Sequence, residues 1–180
     1  ETVTNKTSKI ISILDAGNSV SSRVSRTRDE VVCKGSISSS EKQELKVEKL
    51  LSFRGKVGQA ELEAISRDMQ NVITMHGAKP VGSAITATFA MENGMLDIEI
   101  LVPVDKPMES VGKYYYKEQL HIVNAVVAVY KGHPAGLQEA VEKLNQYMID
   151  KQLQPITVGY NVTKRMDRLA PENTEIEVYV

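Results

Sequence analysis

Two glutamates stand in matching surroundings, Glu99 in LDIEILV and Glu177 in TEIEVYV. Both runs alternate apolar with other residues, the period of a strand that buries one face. Ile98, Ile100 and Val102 share one side of the first strand, and Asp97, Glu99 and Leu101 the other. In the last strand Ile176, Val178 and Val180 lie opposite Glu175, Glu177 and Tyr179. A carboxylate in a partly dry cleft has two uses. Ionised, it pairs with a cationic ligand, and an aromatic neighbour such as Tyr179 adds a cation–π face worth about 0.5–2 kcal/mol. With its pKa raised by burial, it serves as a general acid or base. The residues leave that choice open.

Glu177 ranks first as a ligand contact, followed by Tyr179 and Glu99. Thr86 in SAITATF, and Thr157 and Asn161 in ITVGYNV, offer small polar side chains that leave room for a ligand and orient it. They are expected on the same open sheet face as the carboxylates. Tyr115, in YYYKEQLH, is a further aromatic candidate, although these three tyrosines also suit an amphipathic strand packed against the body. His76, His121 and His133 are isolated from one another, and no His/Asp/Glu set has metal-ligand spacing. There is no phosphate-binding glycine loop and no G-x-S-x-G. No metal or other cofactor is expected.

The elements that must position these groups follow an order that occurs twice. LKVEKLLSF reads as a strand. After it, Leu62, Ile65, Met69, Val72, Ile73 and His76 recur at spacings of three and four, one face of an amphipathic helix. Gly77 stops that helix and Pro80 prevents its continuation. VGSAITATFA and LDIEILVPV then form a hairpin around Asn93-Gly94. In the second half IVNAVVAVYKG is a strand, and the next helix carries Leu137, Ala140, Val141, Leu144, Tyr147 and Met148 on its apolar face. ITVGYNV and TEIEVYV close the unit. Leu62, Met69, Ile73 and Pro80 fall 75 positions before Leu137, Leu144, Met148 and Pro155. We therefore expect a duplicated strand–helix–strand–strand module, the first copy at about 45–104, a linker at 105–119 and the second copy at about 120–180. Residues 1–44 form a polar, serine-rich segment with no assignable structure. The expected fold is α+β: an antiparallel sheet from two pseudo-twofold-related modules, with two main helices on one face.

Composition sets the limits. The chain has 180 residues and a formal net charge of −1, with 42% hydrophobic and 25% charged residues. No strong field is available to hold nucleic acid or an anionic membrane, and the Arg23, Arg26, Arg28 cluster reads as a solvated segment. No run approaches the ~18 apolar residues of a membrane span. The single cysteine, Cys33, rules out an internal disulfide and suits a reducing, cytoplasmic setting.

The duplicated order, with IEILVPV at 98–104 and a final strand Glu177-Val178-Tyr179-Val180, resembles the GyrI-like effector-binding domain over about residues 45–180. That resemblance implies a small-molecule-binding domain, sensing or sequestering an organic ligand in a cleft between its modules. No DNA-binding domain is recognised in this chain, since residues 1–44 are too short and polar for a helix-turn-helix. It leaves as alternatives a small-molecule hydrolase using Glu177 with a tyrosine, and a protein-interaction module that meets a partner or a second copy through the open sheet face, with Tyr114–Tyr116 as anchors.

Overall fold

The computed structural model describes residues 36–58, 60–133, 136–165 and 169–180. The arginine cluster and Cys33 lie outside them. The described elements are β1 (Ser36–Gly58), α1 (Glu61–Met75), β2 (Ile85–Glu92), β3 (Met95–Pro103), β4 (Tyr114–Lys131), α2 (Leu137–Asp150), β5 (Tyr160–Arg165), a 3₁₀ turn (Pro171–Asn173) and β6 (Glu175–Tyr179).

Helix α1 buries Leu62, Ile65, Met69 and Ile73, the stripe expected from the spacing. It ends in a Schellman motif: Ala78 N–H donates to Ile73 O at 3.0 Å and Gly77 N–H to Thr74 O at 2.9 Å, with Gly77 at φ +64°. Helix α2 ends the same way, Leu153 N–H reaching Met148 O and Gln152 N–H reaching Ile149 O. Here the left-handed position, φ +55°, is held by Gln152, whose Cβ crowds its own backbone. Gln152→Gly should therefore stabilise the protein by about 0.5–1 kcal/mol, and Gly77→Ala should destabilise it by about 1 kcal/mol. Urea unfolding midpoints of the two variants check both signs.

The Asn93-Gly94 turn has positive φ at both residues, as its hairpin requires. All six strands are antiparallel and close into a barrel in the order β1-β3-β2-β5-β6-β4, β4 returning to β1. Closure converts the expected open sheet face into an interior. Leu51, Phe53, Ile98 and Ile100 carry α1 on the outside of β1 and β3. Val126, Ala128, Tyr130, Ile176 and Val178 carry α2 on the outside of β4 and β6. Leu50, Ile85, Leu101, Val127, Val162 and Tyr179 fill the inside. Both helices thus lie on the outer face, each over its own strands, and neither has its main packing on β2 or β5.

Strand β1 starts at Ser36, well before the apolar run that suggested it at Leu45. Pairing explains the difference. Its polar first part is held by β4, from Ser36↔Lys131 to Phe53↔Tyr114, so backbone hydrogen bonds maintain the strand where side chains show no alternation. Tyr114–Tyr116, read as linker, open β4. Strand β5 begins only at Tyr160; the preceding Ile156 is 94% exposed.

Candidate ligand-binding site

Register places the candidate residues on two faces. Around the barrel interior one row runs Arg54, Glu99, Ala87, Tyr160, Tyr179, Val127. The next runs Ser52, Leu101, Ile85, Val162, Glu177, Val129. Glu99, Glu177 and Tyr179 thus share the inner face, and Tyr160, not among the expected contacts, stands with them. Each carboxylate is already paired. Glu99, 4% exposed, accepts a hydrogen bond from the Ser52 hydroxyl at 3.0 Å and an ion-pair contact from Lys117. Glu177 accepts the Tyr179 hydroxyl at 2.6 Å and meets Lys164 Nζ at 3.1 Å. Arg54 holds Asp97 through two parallel hydrogen bonds, 3.0 and 3.3 Å, and lies 3.3 Å from the centre of the Phe89 ring.

Thr86 and Asn161 stand opposite each other on the outer face, level with Ile100 and Val178, away from the carboxylates. Alternation along a strand shows which residues share a face but does not say which face that is. These small polar residues sit on strands β2 and β5, away from the main seats of the helices. Tyr115 is 56% exposed on β4.

The β2–β5 ladder is short: Ile85↔Val162, Thr86↔Asn161, Ala87↔Tyr160. Beyond it β2 shifts register between Thr88 and Ala90, and the segment before Tyr160 is not a strand. The chains part there, and a groove of about 360 Å³ opens between them along α2. Thr88 and Phe89 line one side, Thr157 to Gly159 the other, Asn161 and Val178 the floor, and Leu144, Asn145 and Met148 the helix side. Two of the expected contacts, Thr157 and Asn161, therefore meet in one cavity. Asn161 is 5% exposed, and among the described residues its carboxamide has no hydrogen-bond partner. Buried polar groups are nearly always paired, so an unpaired one in a cavity wall marks a place for a ligand or water.

The fold has solved counterparts. EcmrR, in its complex with DNA, superposes with a TM-score of 0.65 at 16% identity, over 81% of this chain and 56% of EcmrR. The EcmrR C-terminal domain superposes with a TM-score of 0.61 at 15% identity, over 83% of this chain and 96% of that domain. The chain has the fold of a GyrI-like domain. It spans a little over half the length of EcmrR and matches the C-terminal domain almost throughout. A hydrolase from Listeria innocua aligns more loosely, with a TM-score of 0.46 at 13% identity over 79% of this chain and 89% of its own. No protein-family model matches the sequence, and no curated protein matches it significantly.

Within this GyrI-like fold the interior tyrosines hold their protons. Burial, then the hydrogen bond to Glu177 and its charge, push the Tyr179 phenol well above its ordinary value of 10.0. Burial and the charge of Glu99 raise Tyr160 against a smaller opposing effect of Arg54. The folded state therefore binds these protons more tightly than the unfolded chain. The stability they contribute is full below about pH 10 and is lost as pH rises through the folded values. The melting temperature should fall steadily above pH 10, and Tyr179→Phe should flatten that fall. Tyrosinate absorbance near 295 nm checks that the phenol ionises with unfolding.

No metal-holding cluster occurs among the described residues, and none of their helices is long and apolar enough to cross a membrane.

Proposed function

We propose that this chain is a small-molecule-binding domain whose ligand occupies the groove where β2 and β5 part. The groove itself carries the reading: it is a concave, mostly apolar cavity of ligand size with a few convergent polar groups. The chain is read as two copies of one strand–helix–strand–strand module. The order β1-α1-β2-β3 and β4-α2-β5-β6, and the shared inner face of Glu99 and Glu177, support this. On that reading β2–β5 is a junction between modules, a natural place for a cleft. EcmrR, which forms a complex with DNA, is a longer chain, and the match to its C-terminal domain supports a like fold; sensing or sequestering a ligand is the role we assign to the groove of this chain. Thr157 and Asn161 contact the ligand. Glu99, Glu177 and Tyr179 hold the barrel wall behind it, their charges neutralised by Lys117 and Lys164.

A thermal-shift screen of small aromatic amides, amines and acids tests this. At least one compound should raise the melting temperature, and the shift should persist in Glu177→Gln but vanish in Asn145→Trp, whose ring plugs the groove from an exposed helix position. Loss of the shift in Glu177→Gln, with the fold intact, would move the ligand to the inner face.

A further inference from the structure

We infer that the groove selects uncharged ligands, and that Asn161 recognises them through a carboxamide-like group offering both a donor and an acceptor. This rests on the groove being the binding site.

No ionisable side chain lines the groove among the described residues. Its walls are Phe89, Leu144, Met148, Pro155, Val178 and Val180, with only hydroxyls and amides among the polar groups. The nearby charges lie on the other side of the sheet. Glu99 and Glu177 point inward and carry their own lysines. Arg54, which stacks on Phe89, is not itself a lining residue and has its charge matched by Asp97. An ionised ligand would exchange its hydration for an apolar wall with no counter-charge, a loss no hydroxyl offsets. An uncharged ligand avoids that cost.

Asn161 supplies the specificity. Its amide is both donor and acceptor, belongs to a residue that is nineteen-twentieths buried, and has no partner among the described residues. A ligand amide or a similar donor–acceptor pair completes it, whereas a purely apolar ligand leaves it unsatisfied. Across the ladder Thr86 is also buried, and its hydroxyl has no hydrogen-bond partner among the described residues, so the outer strip of β2 and β5 keeps polar capacity that the fold itself does not use.

Three probes of one ring system separate the alternatives: 1-naphthamide (neutral), 1-naphthoate (anion) and 1-naphthylmethylammonium (cation), titrated calorimetrically at pH 7 into the full chain. Naphthamide should bind at least tenfold more tightly than either ion. Asn161→Leu should weaken it at least tenfold without lowering the melting temperature, because removing a buried unpaired amide costs the fold nothing. Asn161→Asp should shift preference toward the cation. If either ion binds wild type as tightly as naphthamide and Asn145→Trp abolishes that binding, the groove is a site but the inference is wrong. If naphthamide binding is unchanged by Asn161→Leu, the inference is also wrong. If no probe saturates, or binding survives Asn145→Trp unchanged, the groove reading itself fails.

Discussion

Lys117→Met should lower the free energy of unfolding by about 2–3 kcal/mol. Glu99 is 4% exposed, and its carboxylate has two partners, Ser52 and Lys117. Removing the ammonium leaves a buried anion with one hydroxyl. Stripping one partner from a fully buried pair costs about 3–5 kcal/mol; the Lys117 side chain is 42% exposed, so water offsets part of that here. Glu99→Gln should rescue most of the loss, because Gln keeps the Ser52 hydrogen bond without a charge. A double-mutant cycle by urea denaturation should show a coupling of about 1–2 kcal/mol. The exposed pair Lys143–Glu139 on α2 is the comparison: Lys143→Ala should change stability by no more than about 0.5 kcal/mol. Equal effects at the two lysines would mean that Glu99 is not buried as described.

The second large effect is at Leu101. It is fully buried inside the barrel, aligned between Ser52 and Ile85, and packs with Leu50, Val127 and Val162. Leu101→Ala removes apolar atoms and leaves a cavity in a closed shell that has little freedom to collapse. The expected loss is about 3 kcal/mol, within the usual 2–5. For a chain of this size that lowers the melting temperature by roughly 6–12 °C. Leu101→Met, close in volume, should cost less than about 1.5 kcal/mol. Thermal melts of the two variants check the contrast, and a small effect in Leu101→Ala would show that the interior is already loose.

Those residues also show what could be read without coordinates. The stripe Leu62, Ile65, Met69, Ile73 and the Asn93-Gly94 turn were legible because each is a local signal, set by 3.6-residue periodicity or by positive φ. The sides of β3 and β6 were legible for the same reason, and Glu99 and Glu177 do share a face. Pairing between distant strands was not legible. Ser36–Glu44 show no strand pattern and are strand because β4 lies beside them. Closure of the sheet depends on that same pairing, so an open face was expected where there is an interior. Lys117 and Lys164 find their carboxylates only after strands are registered. The side taken by Thr86 and Asn161 depended on where the helices sit, and the isolation of the Asn161 amide depends on what is absent around it. The sequence clue available for that was modest: small polar residues at alternate positions of two strands that carry neither helix's main packing.

The ring of strands is fastened unequally. Along β1–β4 the partners run from Ser36↔Lys131 to Phe53↔Tyr114, but β2 and β5 meet at only three aligned positions. At about 0.5–1.5 kcal/mol net for each backbone hydrogen bond, unfastening that short clasp is a thermal fluctuation, whereas unzipping the long one amounts to unfolding. By backbone pairing the barrel wall is therefore weakest at the seam beside the groove and strongest where β1 and β4 run together.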